Sequence, residues 1–419
     1  MLVLSPTVPR LPTVAASTSR RLADYDVDAL AAHIVAATGC ALPRARRAAA
    51  KAFHHAFAGD HRGDPPWDDV ALAAAGLGRW VRPCLLELSP RIALTVAERA
   101  RSADGTVRLL LRAADGALFE SVIIPAEAGR DRARTTLCLS SQVGCARGCA
   151  FCETATLGLE RQLTPGEMVD QYRLARRICE PDAPDRPGDG RVARCDDGGT
   201  SRAGGQGAGC GTAERTISNI VFMGMGEPLD NLAALTRAVN LLCTQQAFAV
   251  PPSRITVSTA GVADRLDAFF RTTRAELAIS LNAPDDQRRS ELMPINRRFD
   301  LATLRAALVA SLPPGRRVLF QYALFAGYND APEDADALAA YLGDIPARVN
   351  VIPANPGPRG ALRAPSATAV EAFARQLQRH GITTLVRQPR GRDVGGACGQ
   401  LAGAHRRQNG QESSSCPSP

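Results

Sequence analysis

The chain has 419 residues, 45% of them apolar, and a formal charge of +8. That content suffices for one large core or two modest ones, and no uninterrupted apolar run is long enough to span a bilayer; a soluble globular protein with no membrane partner is expected. The charge is almost wholly arginine, with Lys51 the one lysine, which nearly excludes a Schiff-base or Walker-type lysine and leaves a guanidinium-rich surface suited to a polyanion.

Residues 1–23 read as a disordered start: Pro6, Pro9 and Pro12 interrupt its apolar run, and Arg10 lies too late for a secretory leader. Residues 24–90 read as a helical accessory unit. Val27, Leu30, Ala31, Ile34 and Val35 repeat at helical spacing after the capping candidates Asp24 and Asp26, and Gly39 ends the run. A second helix is expected from Pro43 at its first position. Arg44, Arg47 and Lys51 then share one face, which is either simply solvated or a surface for a polyanion. Between 91 and 130 the runs IALTVAERA, VRLLLRAA and FESVIIPA, with Asp104-Gly105 and Asp115-Gly116 as turns, predict an antiparallel meander.

From 131 to 403 the text alternates. The strand-like runs are TTLCLSS, ISNIVFMG, RITVSTAG, ELAISLNA, VLFQYALF, RVNVIPAN and TTLVRQPR; the helical stretches are 165–178, 232–243, 262–271, 301–311, 332–342 and 368–380. This predicts an α/β fold with a parallel sheet and crossover helices, open or closed into a barrel, and functional residues at the C-terminal ends of the strands. Residues 181–215, dense in Gly, Asp, Arg and Pro, read as a flexible insertion with Cys195 and Cys210 incidental. Residues 404–419, Cys416 included, read as a disordered tail.

Twelve cysteines in a chain of this size point to a reducing, cytoplasmic compartment in which thiols serve metals and catalysis. Cys145, Cys149 and Cys152 stand at C-x3-C-x2-C. Three thiolates can hold a [4Fe-4S] cluster, and because such a cube takes four ligands, one iron is left open to bind a substrate or cofactor. Zinc is the weaker alternative, since it needs four Cys or His ligands in spaced pairs, and no histidine lies between His61 and His380. The strand ends supply polar groups on one rim: Gly224 to Glu227, Ser258, Ser280 to Asn282, and Asn355.

The segments CLSSQVGCARGCAFC, VFMGMGEPLDN, ITVSTAGV, LAISLNAPDDQRRSELMPIN, NVIPANP and ACGQLAG occur in this order. With them, the chain from about 91 to 403 resembles the RlmN/Cfr family of radical S-adenosylmethionine RNA methyltransferases. The resemblance implies a partial (β/α)6-type barrel carrying a small N-terminal helical domain and a short β meander. It implies one [4Fe-4S] cluster per chain on Cys145, Cys149 and Cys152, with S-adenosylmethionine, two molecules per turnover, at Gly226, Glu227, Ser258, Ser280, Leu281, Asn282 and Asn355.

Cys398 matches the family's methyl-carrying cysteine, Cys138 its resolving partner and Glu120 the proton acceptor. In the implied scheme Cys398 takes a methyl group from one cofactor molecule. A 5'-deoxyadenosyl radical from the second removes a hydrogen from that methyl, and the carbon radical adds to an electron-poor adenine carbon. Glu120 takes the ring proton, and Cys138 releases the product by forming a transient disulfide with Cys398. The implied partners are RNA (23S rRNA, with tRNA as a further substrate) and an electron donor of the flavodoxin or ferredoxin kind. Methylation at adenine C2 is the main expectation; methylation at C8, or a repurposed radical enzyme acting on a non-RNA substrate, are the alternatives. Asn282 and Gln321 depart from the family's usual histidine and glutamate, and CETATLG replaces a glycine-containing turn.

Overall fold

Capping and small side chains build the first unit of the computed structural model, which describes residues 20–58, 60, 63–125, 135–179, 217–355 and 362–401. The 181–215 insertion, the 404–419 tail and residues 1–19 lie outside the described residues. Strand β1 (Arg20–Arg21) pairs in parallel with β2 (Leu88–Ser89) and brackets four helices: α1 (Val27–Thr38), α2 (Leu42–Phe57), α3 (Asp69–Ala74) and α4 (Arg82–Leu86). The Asp26 carboxylate caps α1 by accepting from the Ala29 amide at 2.8 Å, and Gly39 ends it at φ 67°. Helix α2 starts one residue before Pro43 and buries Ala45, Ala48, Ala49 and Ala52, whose small side chains let its neighbours approach closely. Residues 20–23 belong to this unit: Leu22 and Ala23 are buried and Arg21 pairs with buried Asp170. The expectation that a disordered start extends to residue 23 is corrected there, because an apolar pair and a buried carboxylate hold the segment down.

The meander strands β3 (Thr95–Arg101), β4 (Val107–Arg112) and β5 (Leu118–Pro125) do not stand apart from the α/β core. Strand β5 pairs antiparallel with β6 (Thr135–Leu139), placing Val122 opposite Cys138. A hairpin of β7 (Gln142–Gly144) and β8 (Leu159–Gln162) follows, paired outside the main sheet. The sheet then continues in parallel from β6 through β9 (Ile217–Phe222), β10 (Ile255–Thr259), β11 (Glu276–Ser280), β12 (Val318–Leu324), β13 (Ala347–Pro353) and β14 (Thr383–Val386). The ten-stranded order runs from β14 at one edge to β3 at the other. It is an open, mostly parallel sheet, one of the two forms the alternation allows, and agrees with the partial barrel that the resemblance implies.

Parallel neighbours need crossovers, and the intervening helices are α5 (Pro165–Cys179), α6 (Leu232–Cys243), α7 (Leu266–Thr272), α8 (Asp286–Leu292), α9 (Leu301–Ser311), α10 (Pro332–Leu342) and α11 (Ala367–Arg379). Helix α5 is buried on more than its sheet-facing side. The accessory helices cover it: Arg173, fully buried, is held by Asp60 at 2.5 Å and Asp170 at 3.0 Å, and the Asp24 carboxylate accepts from the Gly166 amide at 2.8 Å. Phe248 stacks on Phe57 of α2 and meets Tyr172 of α5 edge-on, so apolar packing joins the two units as well. One continuous apolar cluster runs from Leu22 to Leu401.

Candidate active site

The parallel strands direct their C-terminal ends at an open cavity. Its lining includes Cys138, Cys145, Cys149, Cys152, Gly226, Glu227, Ser258, Ser280, Asn282, Asn355 and Cys398. Residues spread over more than 250 positions of sequence therefore share one chamber. Two expected site residues, Leu281 and Glu120, lie outside this lining.

The three close cysteines sit in the loop of the β7/β8 hairpin. Its base is tight: the Cys145 amide donates to the Gly158 carbonyl at 2.7 Å, and a Cβ on Gly144 would lie 1.9 Å from that same oxygen. The Ala150 amide donates to the Leu292 carbonyl of α8, and Arg147 pairs with Asp230. Burial pushes the Cys145 thiol up to about 12, and Cys149 and Cys152 are raised by burial too. The Cys149 thiol is raised further by Cys152 and Cys145. A loop that buries three neighbouring thiols, so that their ionisation is opposed, fits a cationic iron cluster, whose charge reverses that penalty and draws off the protons. Among the described residues no three His, Cys, Asp or Glu side chains converge on a single ion. A cube does not ask for that, because each thiolate takes its own iron.

The opposite rim is preorganised. Gly226, at φ +101°, lies so close to Gln142 that a Cβ would fall 2.5 Å from that side chain. The Gln142 Oε1 accepts from the Glu227 amide at 2.7 Å. The Glu227 carboxylate accepts from the amides of Ala260 at 2.7 Å and Leu229 at 3.0 Å, while burial raises its pKa to about 7. Among the described lining residues it is the one carboxylate. Ser258 donates to Gln321 Oε1 at 3.0 Å, so the Gln321 departure stays inside the site's own network. Asn282 adopts φ 62°, a left-handed conformation that asparagine tolerates well. Its Oδ1 accepts from the Ala323 amide at 2.9 Å, which ties the end of β11 to β12. Leu281 is buried behind the rim; its amide donates to Gln321 and its carbonyl accepts from Arg289.

Cys138 is buried at the end of β6, and Cys398 is exposed on the segment after β14. Burial first, then the neighbouring Cys398, raises the Cys138 thiol to about 12; the Arg387 guanidinium pulls the other way. Glu120 sits on β5, with its carboxylate buried and accepting from Arg108 Nη1 at 2.7 Å. Its backbone meets the ends of β6 and β9, where the Glu120 carbonyl accepts from Ser140 Oγ at 2.5 Å and its amide faces the Met225 sulfur at 3.3 Å, but its side chain is not part of the cavity lining.

Three functional residues escaped the sequence reading. Arg387 lines the cavity beside Cys138. Arg289 clamps the ends of β10 and β11 by donating to the carbonyls of Ala260, Ser280 and Leu281. Gln142 supports Glu227. Arg387 was detectable as the first polar residue after a parallel strand; Arg289 and Gln142 act through long-range contacts that spacing does not reveal.

A protein of Sorangium cellulosum described as a probable RNA methyltransferase is 53% identical over 387 residues, 92% of this chain and 88% of its own length. The dual-specificity RNA methyltransferase RlmN of Anaeromyxobacter dehalogenans is 43% identical over 314 residues, 74% of this chain and 76% of its own. The chain belongs to the RlmN family of RNA methyltransferases. The crystal structure of a radical SAM methyltransferase from Sphaerobacter thermophilus superposes with a TM-score of 0.70 at 35% identity, covering 91% of this chain and 99% of its own. No family model matches the chain. Family membership and the shared fold identify a radical SAM methyltransferase, and the family implies S-adenosylmethionine and a [4Fe-4S] cluster.

Proposed function

We propose that this enzyme methylates C2 of an adenine in RNA, in 23S rRNA foremost and in tRNA as well, through a methyl group carried on Cys398. The observation that carries this reading is the convergence of Cys145, Cys149 and Cys152 with Cys138 and Cys398 in one cavity. An enzyme that only generated radicals would need the first three. Cys145, Cys149 and Cys152 would hold the cluster, and Gly226, Glu227, Ser258, Ser280, Asn282 and Asn355 the S-adenosylmethionine. Together those groups supply the methyl carbon and the one-electron chemistry that an electron-poor ring carbon demands.

The chain's own residues do the rest. Exposed Cys398 presents the carbon to the RNA, and buried Cys138 waits beside it. Once the adduct has lost the ring proton and returned its unpaired electron to the one-electron redox system, attack of the Cys138 thiolate on the Cys398 sulfur forms an S–S bond and breaks the S–C bond; the electron pair stays with the carbon, which takes up a proton. Two electrons from a cellular thiol reductant reopen the disulfide. Glu120, paired with Arg108 and outside the cavity lining, would accept the ring proton only after a rearrangement that frees its carboxylate. A flavodoxin or ferredoxin system would supply electrons in the cytoplasm. Among the described residues no helix is long and apolar enough to cross a membrane. The exposed Arg47 and the neighbouring Arg44 and Lys51 of α2 offer phosphate contacts whose affinity should fall with salt.

Mass spectrometry of RNA from cells with and without the protein tests the reading. 2-methyladenosine that depends on the protein is expected; 8-methyladenosine, or no change in methylated adenosine, would overturn it.

A further inference from the structure

The segment bearing Cys398 leaves β14 and crosses the open edge of the barrel toward the meander. It is pinned at three places. At its start the Gly391 amide donates to Asp104 Oδ2 at 2.8 Å, and Asp393 Oδ2 accepts from the Ala103 amide at 3.1 Å, so strap and meander turn exchange carboxylates. At its end the Gly399 carbonyl accepts from the Glu153 amide at 2.7 Å, and the Leu401 carbonyl from Thr154 Oγ1 at 2.9 Å. Both donors directly follow Cys152. In the middle the Asn355 amide Nδ2 donates to the carbonyl of Cys398 itself at 3.0 Å, while its Oδ1 accepts from Arg392 Nε at 2.7 Å. A second Arg392 nitrogen donates to the Ala354 carbonyl at 3.2 Å.

The middle contact has a fixed polarity. A guanidinium only donates, so the oxygen of Asn355 must face Arg392 and its nitrogen must face Cys398. Arg392 thereby sets the orientation of the Asn355 side chain, which holds the Cys398 backbone. We propose that Arg392 and Asn355 form a positioning relay that holds Cys398 within reach of Cys138, with the Asp104 and Asp393 exchange as its anchor. Asn355 thus acts on the strap in addition to any contact with the cofactor. The relay rests on the reading of Cys138 and Cys398 as a working pair, which the experiment tests separately. Arg392 and Asn355 touch neither thiol and work through the strap alone.

The experiment uses the full-length holoprotein under anaerobic conditions, with oxidised glutathione as the acceptor of the two thiol electrons, and follows the Cys138–Cys398 disulfide by peptide mapping. Wild type is expected to form it. Asn355→Asp keeps the volume and the Arg392 contact but sets an acceptor against the Cys398 carbonyl; Arg392→Ala frees the amide to turn. Both should slow the bond about tenfold, the scale of rate that close positioning controls. The melting temperature should stay that of wild type, and Arg392→Lys, with charge but no fork, should restore only part of the rate. Variants that form the bond as fast as wild type would overturn the relay. Wild type that forms no Cys138–Cys398 bond would overturn the pairing itself, and the relay with it.

Discussion

Two buried regions of this enzyme carry charge or potential charge, and they treat it in opposite ways. Where the accessory helices cover α5, Arg173 is fully buried among Asp60 and Asp170, with opposite charges in direct contact. At the cavity, Cys145, Cys149, Cys152 and Glu227 are pushed above their ordinary values by burial, and the nearby Arg147 and Arg289 offset the rise at Cys145 and Cys149 only in part. The first region is satisfied within the chain and serves architecture. The second is complete only when something cationic arrives, which marks it as the place of chemistry.

That contrast can be broken by exchanging the consequences of mutation. Cys149→Ser should abolish bound iron and methylation while the protein still melts cooperatively; iron analysis and a melting curve read the two effects. Retention of iron would place the cluster elsewhere. Asp60→Asn should do the reverse, because it takes one of the carboxylate partners from buried Arg173 and leaves Asp170 as its main counter-charge, at a cost of up to about 3–5 kcal/mol. Denaturant melts should show that loss, and the fraction still folded should methylate RNA at the wild-type rate. A variant that is stable but inactive would make the accessory contact part of the reaction.

A smaller effect sharpens the picture inside the cavity. In the proposed scheme Cys138 reacts as the thiolate, and with the thiol raised to about 12 the protonated form dominates at neutral pH. Product release should therefore rise about tenfold per pH unit between roughly pH 7 and 9. Arg387→Gln removes the cation that favours the thiolate, so it should slow release a few-fold at any pH in that range. Single-turnover release measured against pH checks both statements. A flat profile would mean that another step governs release.

Much of this architecture was legible because it is periodic. Helices α9 and α10 begin and end where the apolar spacing placed them, at Leu301–Ser311 and Pro332–Leu342, and all seven expected parallel strands form. Helix α8 was not legible: DQRRSEL is polar, and its Arg289 is buried only because it reaches the carbonyls of two strand ends. The meander was legible as hairpins, but its fusion with the main sheet rests on the β5/β6 pairing, to which local pattern is blind. For the site, sequence motifs picked out residues that the fold gathers around one cavity, without revealing their contacts. Asn355 stood out as a rim group, yet its partners are the Cys398 carbonyl and Arg392, both more than thirty residues away. Glu120 shows the converse: its motif is intact, but its carboxylate is paired with Arg108 on the adjacent strand and is not among the residues that line the chamber.

The central claim is that Cys398 carries the methyl carbon and Cys138 frees it. Cys138→Ala tests it most directly, because the carrier then remains while the releasing thiol is gone. Holoprotein of this variant, incubated with S-adenosylmethionine, reductant and RNA, should accumulate a covalent protein–RNA adduct that survives denaturing electrophoresis and maps to the Cys398 peptide. Release of methylated RNA by Cys138→Ala at the wild-type rate, with no adduct, would contradict the account.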